Sequence, residues 1–148
     1  MGEIGHTTTV EKPSGEAYGR ALKGFGVNLL VRDVLASVRF LAEVMRVEQV
    51  YSDADFALMR HQGMEFMLHA DGTYHSNPLL GLTGDGASRG VGVELRLYGI
   101  DPDAATTRAR ARNDHILQDP ADKPHGLREA FIMDPDGYVW VPGRESTE

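Results

Sequence analysis

The chain has no cysteine. That excludes disulfides, thiolate metal sites and a cysteine nucleophile, and it fits a reducing compartment such as the cytoplasm. No apolar run approaches the roughly 20 residues that a membrane-spanning helix needs. Residues Met1 to Thr9 offer no hydrophobic signal-peptide core, so a cytoplasmic location is expected. An excess of positive charge is also missing: 22 acidic residues against 15 basic ones give a net charge of −7. Neither a nucleic acid nor an anionic membrane is then an expected partner, because phosphate binding needs a basic surface. There is no glycine-rich phosphate loop, and no histidine pair has the helical i,i+4 spacing of a metallohydrolase.

What remains is enough for one domain. With 148 residues, 41% of them hydrophobic, the chain can bury a substantial interior. Residues 1–24 form a polar arm, with a short helix expected from Ser14 as cap through Leu22. An arm of this kind suits a subunit interface.

From Phe25 onward a pattern of strand, helix and three strands occurs twice, and this duplication is the main organisational signal. In the first copy residues 26–31 read as a strand. Asp33 caps a helix whose apolar stripe is Val34, Val38, Leu41 and Met45. Strands are expected at 47–51, 56–60 and 64–69. In the second copy the strand covers 91–98, Asp101 is the cap, and Pro102 sits at the first helical position, where a missing N–H costs nothing. That helix runs to about Arg112, with Asn113 and Asp114 able to take the left-handed stop usually given to glycine. Strands at 116–118, 127–133 and 138–141 complete it. The expected domain spans residues 25–142, as repeat 25–70, loop 71–90 and repeat 91–142, followed by a tail at 143–148.

The last two strands flank Asp134-Pro135-Asp136-Gly137, where Pro135 presets φ for a turn and Gly137 tolerates a positive φ. This hairpin resembles the closing hairpin of the vicinal oxygen chelate superfamily, which includes glyoxalase I, extradiol dioxygenases and bleomycin-resistance proteins. The preceding Pro124-His125-Gly126-Leu127-Arg128-Glu129 is similar to the Pro-Trp-Gly-Met-Arg-Glu segment of the bleomycin-resistance branch, with His125 in place of the tryptophan. The resemblance implies an α+β fold in which two βαβββ repeats form curved mixed sheets around a cavity. It also implies a homodimer with clefts at the subunit junction.

In that fold each sheet carries its helix on one face and lines a cavity with the other, so period-two alternation sorts the residues. The cavity set is Asn28 and Leu30 on the first strand, then Glu65, Met67 and His69. Glu94, Arg96, Tyr98, Val139 and Val141 follow in the second repeat, and His125 joins them through the bleomycin-resistance segment. Val27, Leu29, Val31, Met64, Phe66, Leu68, Val93, Leu95, Leu97, Tyr138 and Trp140 are assigned to the core. Trp140 should find a local partner for its N–H. Arg128 and Glu129 lie on opposite strand faces, so only one of them reaches the cavity.

The metal-dependent relatives place ligands at four strand positions, which fall here on Gly26, Glu65, Glu94 and Val141. Gly26 and Val141 have no donor atom. The resemblance therefore implies a metal-free protein, with no cofactor, that binds a small molecule and sequesters a toxic or antibiotic compound. The acidic lining suits a cationic, hydrogen-bonding ligand, and Arg96 paired with Glu65 or Glu94 is the structural alternative. A second reading is a lyase, isomerase or dioxygenase with an atypical divalent-metal site of Glu65, Glu94 and His69, or with Glu65 or Glu94 as a general base. A third is an accessory subunit whose cavity is filled by its own side chains.

Overall fold

A computed structural model describes residues 15–73, 77–84 and 86–146. The element order is α1 (Gly15–Ala21), β1 (Asn28–Val31), α2 (Val34–Glu43), β2 (Glu48–Ser52), β3 (Phe56–His61), β4 (Met64–Ala70), β5 (Glu94–Tyr98), α3 (Pro102–Ala111), β6 (His115–Asp122), β7 (Leu127–Met133) and β8 (Val139–Glu145). Each βαβββ repeat makes its own four-stranded mixed sheet, in the order β1-β4-β3-β2 and β5-β8-β7-β6. In both, the first strand pairs parallel with the last and the other pairs are antiparallel. The α+β fold and the duplication are as the sequence implies. Among the described residues no helix is long and apolar enough to cross a membrane.

Both helices start where their caps stand. The Asp33 side chain accepts from the backbone N–H of Ala36, and Asp101 does the same for Asp103. Asn113 takes φ 65 and ends α3, as its side chain allows. Helix α1 begins at Gly15; the expected cap, Ser14, lies outside the described residues.

Four expectations are corrected. Residues 91–93 are not strand: Gly92 turns at φ 90, so β5 opens at Glu94 and Val93 is exposed rather than core. Strand β6 is longer than 116–118, because two register shifts against β7 let pairing continue to Asp122. Strand β8 runs to Glu145, pairing with Leu127, so Gly143, Arg144 and Glu145, assigned to a tail, belong to the sheet. Met64, also placed in the core by parity, is exposed.

One hydrophobic core serves both repeats. It unites Val34, Val38 and Leu41 of α2, Ala105 and Ala109 of α3, and the helix-side residues Leu29, Val31, Leu68, Leu97, Ile132 and Trp140 of both sheets. The two helix-bearing faces are thus turned toward each other, and Phe66 of one sheet meets Trp140 of the other with ring centroids 5.5 Å apart. Arg108 ties α3 to the end of α2 by two hydrogen bonds to the Val44 carbonyl, 3.0 and 2.8 Å. The residues of opposite parity, which hold the expected cavity set, point away from this shared core on each sheet.

The Asp134–Gly137 turn joins the repeats. Asp136 is buried and accepts from both the backbone N–H and the guanidinium of Arg32, each at 3.0 Å, with the Ser37 hydroxyl at 3.4 Å. Asp134 accepts from the N–H groups of Asp136, Tyr138 and the Trp140 indole at 2.9–3.0 Å, which supplies the local partner expected for Trp140.

Burial pushes the Asp134 carboxyl up to about 6, the neighbouring Asp136 adds to this, and the three N–H donors oppose it. Its ordinary value is 3.8, so the folded state holds this proton more tightly than the unfolded one. The resulting contribution is complete below about pH 4 and is lost as pH rises through about 6, on the order of 2–3 kcal/mol. Asp134→Asn cannot titrate. The stability of the wild type relative to this variant is expected to increase as pH falls from about 7 to 5 in paired denaturant titrations. A pH-independent difference would sink the assignment.

Candidate functional site

The expected site residues fall into two polar clusters, one on the outward face of each sheet. On the first sheet a row crosses three strands: Glu48 of β2, Arg60 of β3 and Glu65 of β4 are direct cross-strand neighbours. Arg60 bridges them, at 3.3 Å to Glu48 and 2.6 Å to Glu65. Helix α1 reaches the same carboxylate through the Tyr18 hydroxyl, 3.3 Å away. Further along, His69 meets the Asn28 side-chain oxygen at 2.6 Å and packs its ring against Phe56 at 4.8 Å. Met67, the β4 partner of Asn28 and two residues before His69, is half-buried.

On the second sheet Arg96 is the hub. Alternation puts Glu94 and Tyr98 on its face of β5, and it bonds Glu94 at 2.6 Å and the Tyr98 hydroxyl at 3.1 Å. Its guanidinium also crosses β8 to the buried Glu129 of β7. Val141, its partner on β8, is buried along that path, and Gly143 opposite Glu129 adds no side chain to obstruct it. The bonds to Glu129, Tyr98 and Glu94 hold the Arg96 proton still more firmly than usual, against the effect of burial. His125 stands 3.5 Å from Glu129. Of the pair left open by the sequence, Glu129 takes the outward face, while Arg128 turns inward to Asp103 of α3 at 2.7 Å.

A crevice of about 400 Å³ is lined by residues of both sheets. Its wall includes Val27, Phe66, Leu95, Leu97 and Trp140, the helix-side residues, and Glu65, Glu94, Arg96 and Tyr98 reach its rim. A smaller hollow of about 290 Å³ beneath α1 shares Phe25, Val27, Glu65 and Phe66 with it. The structure thus brings four of the eight expected ligand-binding residues to one opening. Asn28, His69 and His125 do not line it, and Met67 lines only the smaller hollow. Phe66 and Trp140 are additions to this opening, and Arg60 and Glu129 are additions to the polar clusters. Cross-strand register was the signal for Arg60, but Phe66 and Trp140 were assigned to the core alone.

No protein-family model matches the sequence, and neither does any curated protein. Solved structures do match. A glyoxalase-related enzyme from Fulvimarina pelagi superposes with a TM-score of 0.65 over 84% of this chain and 89% of its own, at 20% identity. A glyoxalase/bleomycin resistance protein/dioxygenase family enzyme from Burkholderia phytofirmans PsJN gives 0.62 over 81% and 96%, at 18% identity. The fosfomycin resistance protein FosX from Listeria monocytogenes gives 0.60 over 85% and 96%, at 15% identity. The chain has the vicinal oxygen chelate fold.

The ligand positions implied by the vicinal oxygen chelate fold do not fit a metal in this chain. Gly26 and Val141 offer no donor, Glu65 is held by Arg60 and Tyr18, and Glu94 is held by Arg96. Glu65 and Glu94 also stand on different sheets. Among the described residues no three of His, Asp or Glu gather closely enough to hold a metal ion, so the atypical set of Glu65, Glu94 and His69 is not assembled either.

Proposed function

We propose that this protein binds a small molecule in the manner of the glyoxalase/bleomycin-resistance proteins, without a bound metal, and sequesters a toxic or antibiotic compound in the cytoplasm. The observation that carries this reading is the apolar crevice rimmed by Glu65, Glu94, Arg96 and Tyr98. Its volume, about 400 Å³, is in the ordinary range for a small-molecule site, with few polar groups to fix orientation. The missing donors at Gly26 and Val141 support a role that does not depend on Lewis-acid chemistry.

A homodimer belongs to the same reading. The Asn28–His69 pair and the His125–Glu129 pair lie outside the crevice of the single chain, so a cleft that used both would be built with a second copy. The Asn28–His69 pair of one copy would then face the Arg96–Glu129 cluster of the other.

The test is equilibrium binding of a bleomycin-type glycopeptide, with and without Cu²⁺, together with metal analysis of protein purified without added metal. Saturable binding by metal-free protein is expected. Absence of binding in both forms counts against that ligand class. Stoichiometric Fe, Mn, Ni or Zn would instead favour a lyase, isomerase or dioxygenase, the reading to which the enzymes sharing this fold lend support.

A further inference from the structure

The duplication sets the first strand of each repeat against the hairpin turn of the other. Leu30 and Tyr98 are equivalent, each three residues before the capping aspartate, Asp33 or Asp101. The Leu30 carbonyl accepts from the hydroxyl of Tyr138, which follows the β7–β8 turn, at 2.8 Å. The Tyr98 carbonyl accepts from Nε2–H of His61, which precedes the β3–β4 turn, also at 2.8 Å. Each pair of strand edge and turn borders a space, and the two spaces differ in what occupies them. We propose that the one beside β5, the crevice between the sheets, takes a short linear peptide, extended along the strand and hydrogen-bonded to its main chain. The inference rests on the reading of the crevice as the ligand site and names the class of molecule it would take.

The space beside β1 is filled by the chain itself. Arg89, its side chain 3% exposed, donates to the Leu30 carbonyl at 3.1 Å and pairs with Asp71 at 2.8 Å. The backbone N–H groups of Arg89 and Gly90 bond the Asp136 and Gly137 carbonyls of the β7–β8 turn, at 3.1 and 3.2 Å. Gly90 runs so close that a Cβ there would lie 2.7 Å from the Tyr138 Cα. In the first repeat, then, the occupant between edge and turn is a length of polypeptide. The equivalent space in the second repeat lies between His61, Gln62 and Met64 on one side and β5 on the other, and it is open, with a volume of about 400 Å³.

Strand β5 offers what such a segment needs. It is an edge of its sheet and pairs with β8 alone. The Gly99 N–H bonds the Gly143 carbonyl, and in a parallel ladder alternate residues face the neighbouring strand. Leu95 and Leu97 therefore spend their main-chain groups on β8. Those of Arg96 point the other way, toward the crevice, and have no partner among the described residues. The other edges are blunted. Arg89 plugs β1, a register shift breaks β2 between Gln49 and Tyr51, and β6 shifts twice and carries Pro120. Strand β5 pairs without a shift and holds no proline. An added strand would lay alternate side chains beside Leu95, Leu97 and Phe66, and cover Phe25, which is 88% exposed. Its main-chain bonds leave the Arg96–Glu94 and Arg60–Glu65 pairs intact.

The probe is the peptide acetyl-Thr-Leu-Thr-Leu-Thr-amide, titrated into the full chain and followed by heat of binding and by amide hydrogen exchange. At saturation the Arg96 amide should exchange at least about tenfold more slowly, while those of Leu95 and Leu97, already bonded to β8, should not change. Two N-methylated analogues read the pairing directly, because successive N–H groups of an extended strand point to opposite sides. One is methylated at both leucines and the other at all three threonines. One analogue should bind at least about tenfold more weakly than the parent peptide, and the other should keep its affinity. Equal loss in both, or loss in neither, overturns the strand pairing. Binding that leaves Arg96 exchange unchanged overturns β5 as the site. Absence of binding at millimolar concentration overturns the peptide assignment, whereas the broader small-molecule reading is decided separately by the glycopeptide and metal measurements.

Discussion

Replacing Asp136 by alanine should cost roughly 3–5 kcal/mol of stability, the range for removing one partner of a buried ion pair. The carboxylate is 4% exposed and accepts from three donors of the other repeat: the Arg32 backbone N–H, the Arg32 guanidinium and the Ser37 hydroxyl. Without it the buried Ser37 hydroxyl loses this acceptor. The Arg32 side chain is 35% exposed, so its guanidinium can recover water, which places the cost toward the lower end. In a domain of this length the melting temperature should fall by about 10 °C. Asp136→Asn, which keeps an acceptor but not the charge, should lose about half as much. Chemical denaturation of the three proteins checks this. Equal stability of wild type and the alanine variant would mean that the turn does not clasp the repeats together.

The second large effect is expected one residue later. Gly137 has φ 95, where a side chain is strained, and a Cβ there would lie 2.7 Å from the Ser88 Cα and 3.0 Å from the Arg89 nitrogen. These are backbone atoms held in place, because Arg89 donates to the Asp136 carbonyl and Gly90 to that of Gly137. Gly137→Ala therefore combines a left-handed penalty of roughly 1–2 kcal/mol with an overpacking cost of roughly 1–3 kcal/mol. Gly126→Ala is the matched control: its φ is 94, yet nothing lies within 4 Å of the added atom. It should show the conformational part alone. Thermal unfolding in which the two variants melt together would show that the loop moves aside at no cost.

Much of the fold was legible because its signals are local. A carboxylate at Asp33 or Asp101 caps whatever helix follows it, and Asn113 can stop one wherever it lies. The Asp134–Gly137 turn likewise needs only its own four residues. Alternation correctly put Glu94, Arg96 and Tyr98 on one face of β5. It could not say how the two sheets turn toward each other, and that relation decides the site. Phe66 and Trp140 looked like ordinary core because parity placed them beneath the helices. Both nevertheless also line the crevice between the sheets. Pairing partners were hidden for a related reason. Arg60 reaches Glu65 only through the register of β3 on β4, and the choice between Arg128 and Glu129 rested on a strand whose partner slips register twice. Residues 91–93 looked like strand from their valines, but Gly92 turns the chain.

Because the helix-side faces of both sheets are spent on one shared interior, Asn28 of β1, Met67 of β4 and Tyr98 of β5 carry none of its packing. A change at Asn28, Met67 or Tyr98 alters what those surfaces recognise without opening a void among the residues that hold the halves together. Stability and recognition thus occupy alternate positions of the same strands. The scaffold can keep its shape while its preference for ligands drifts, and residues such as Phe66 and Trp140, which serve both, are where that freedom ends.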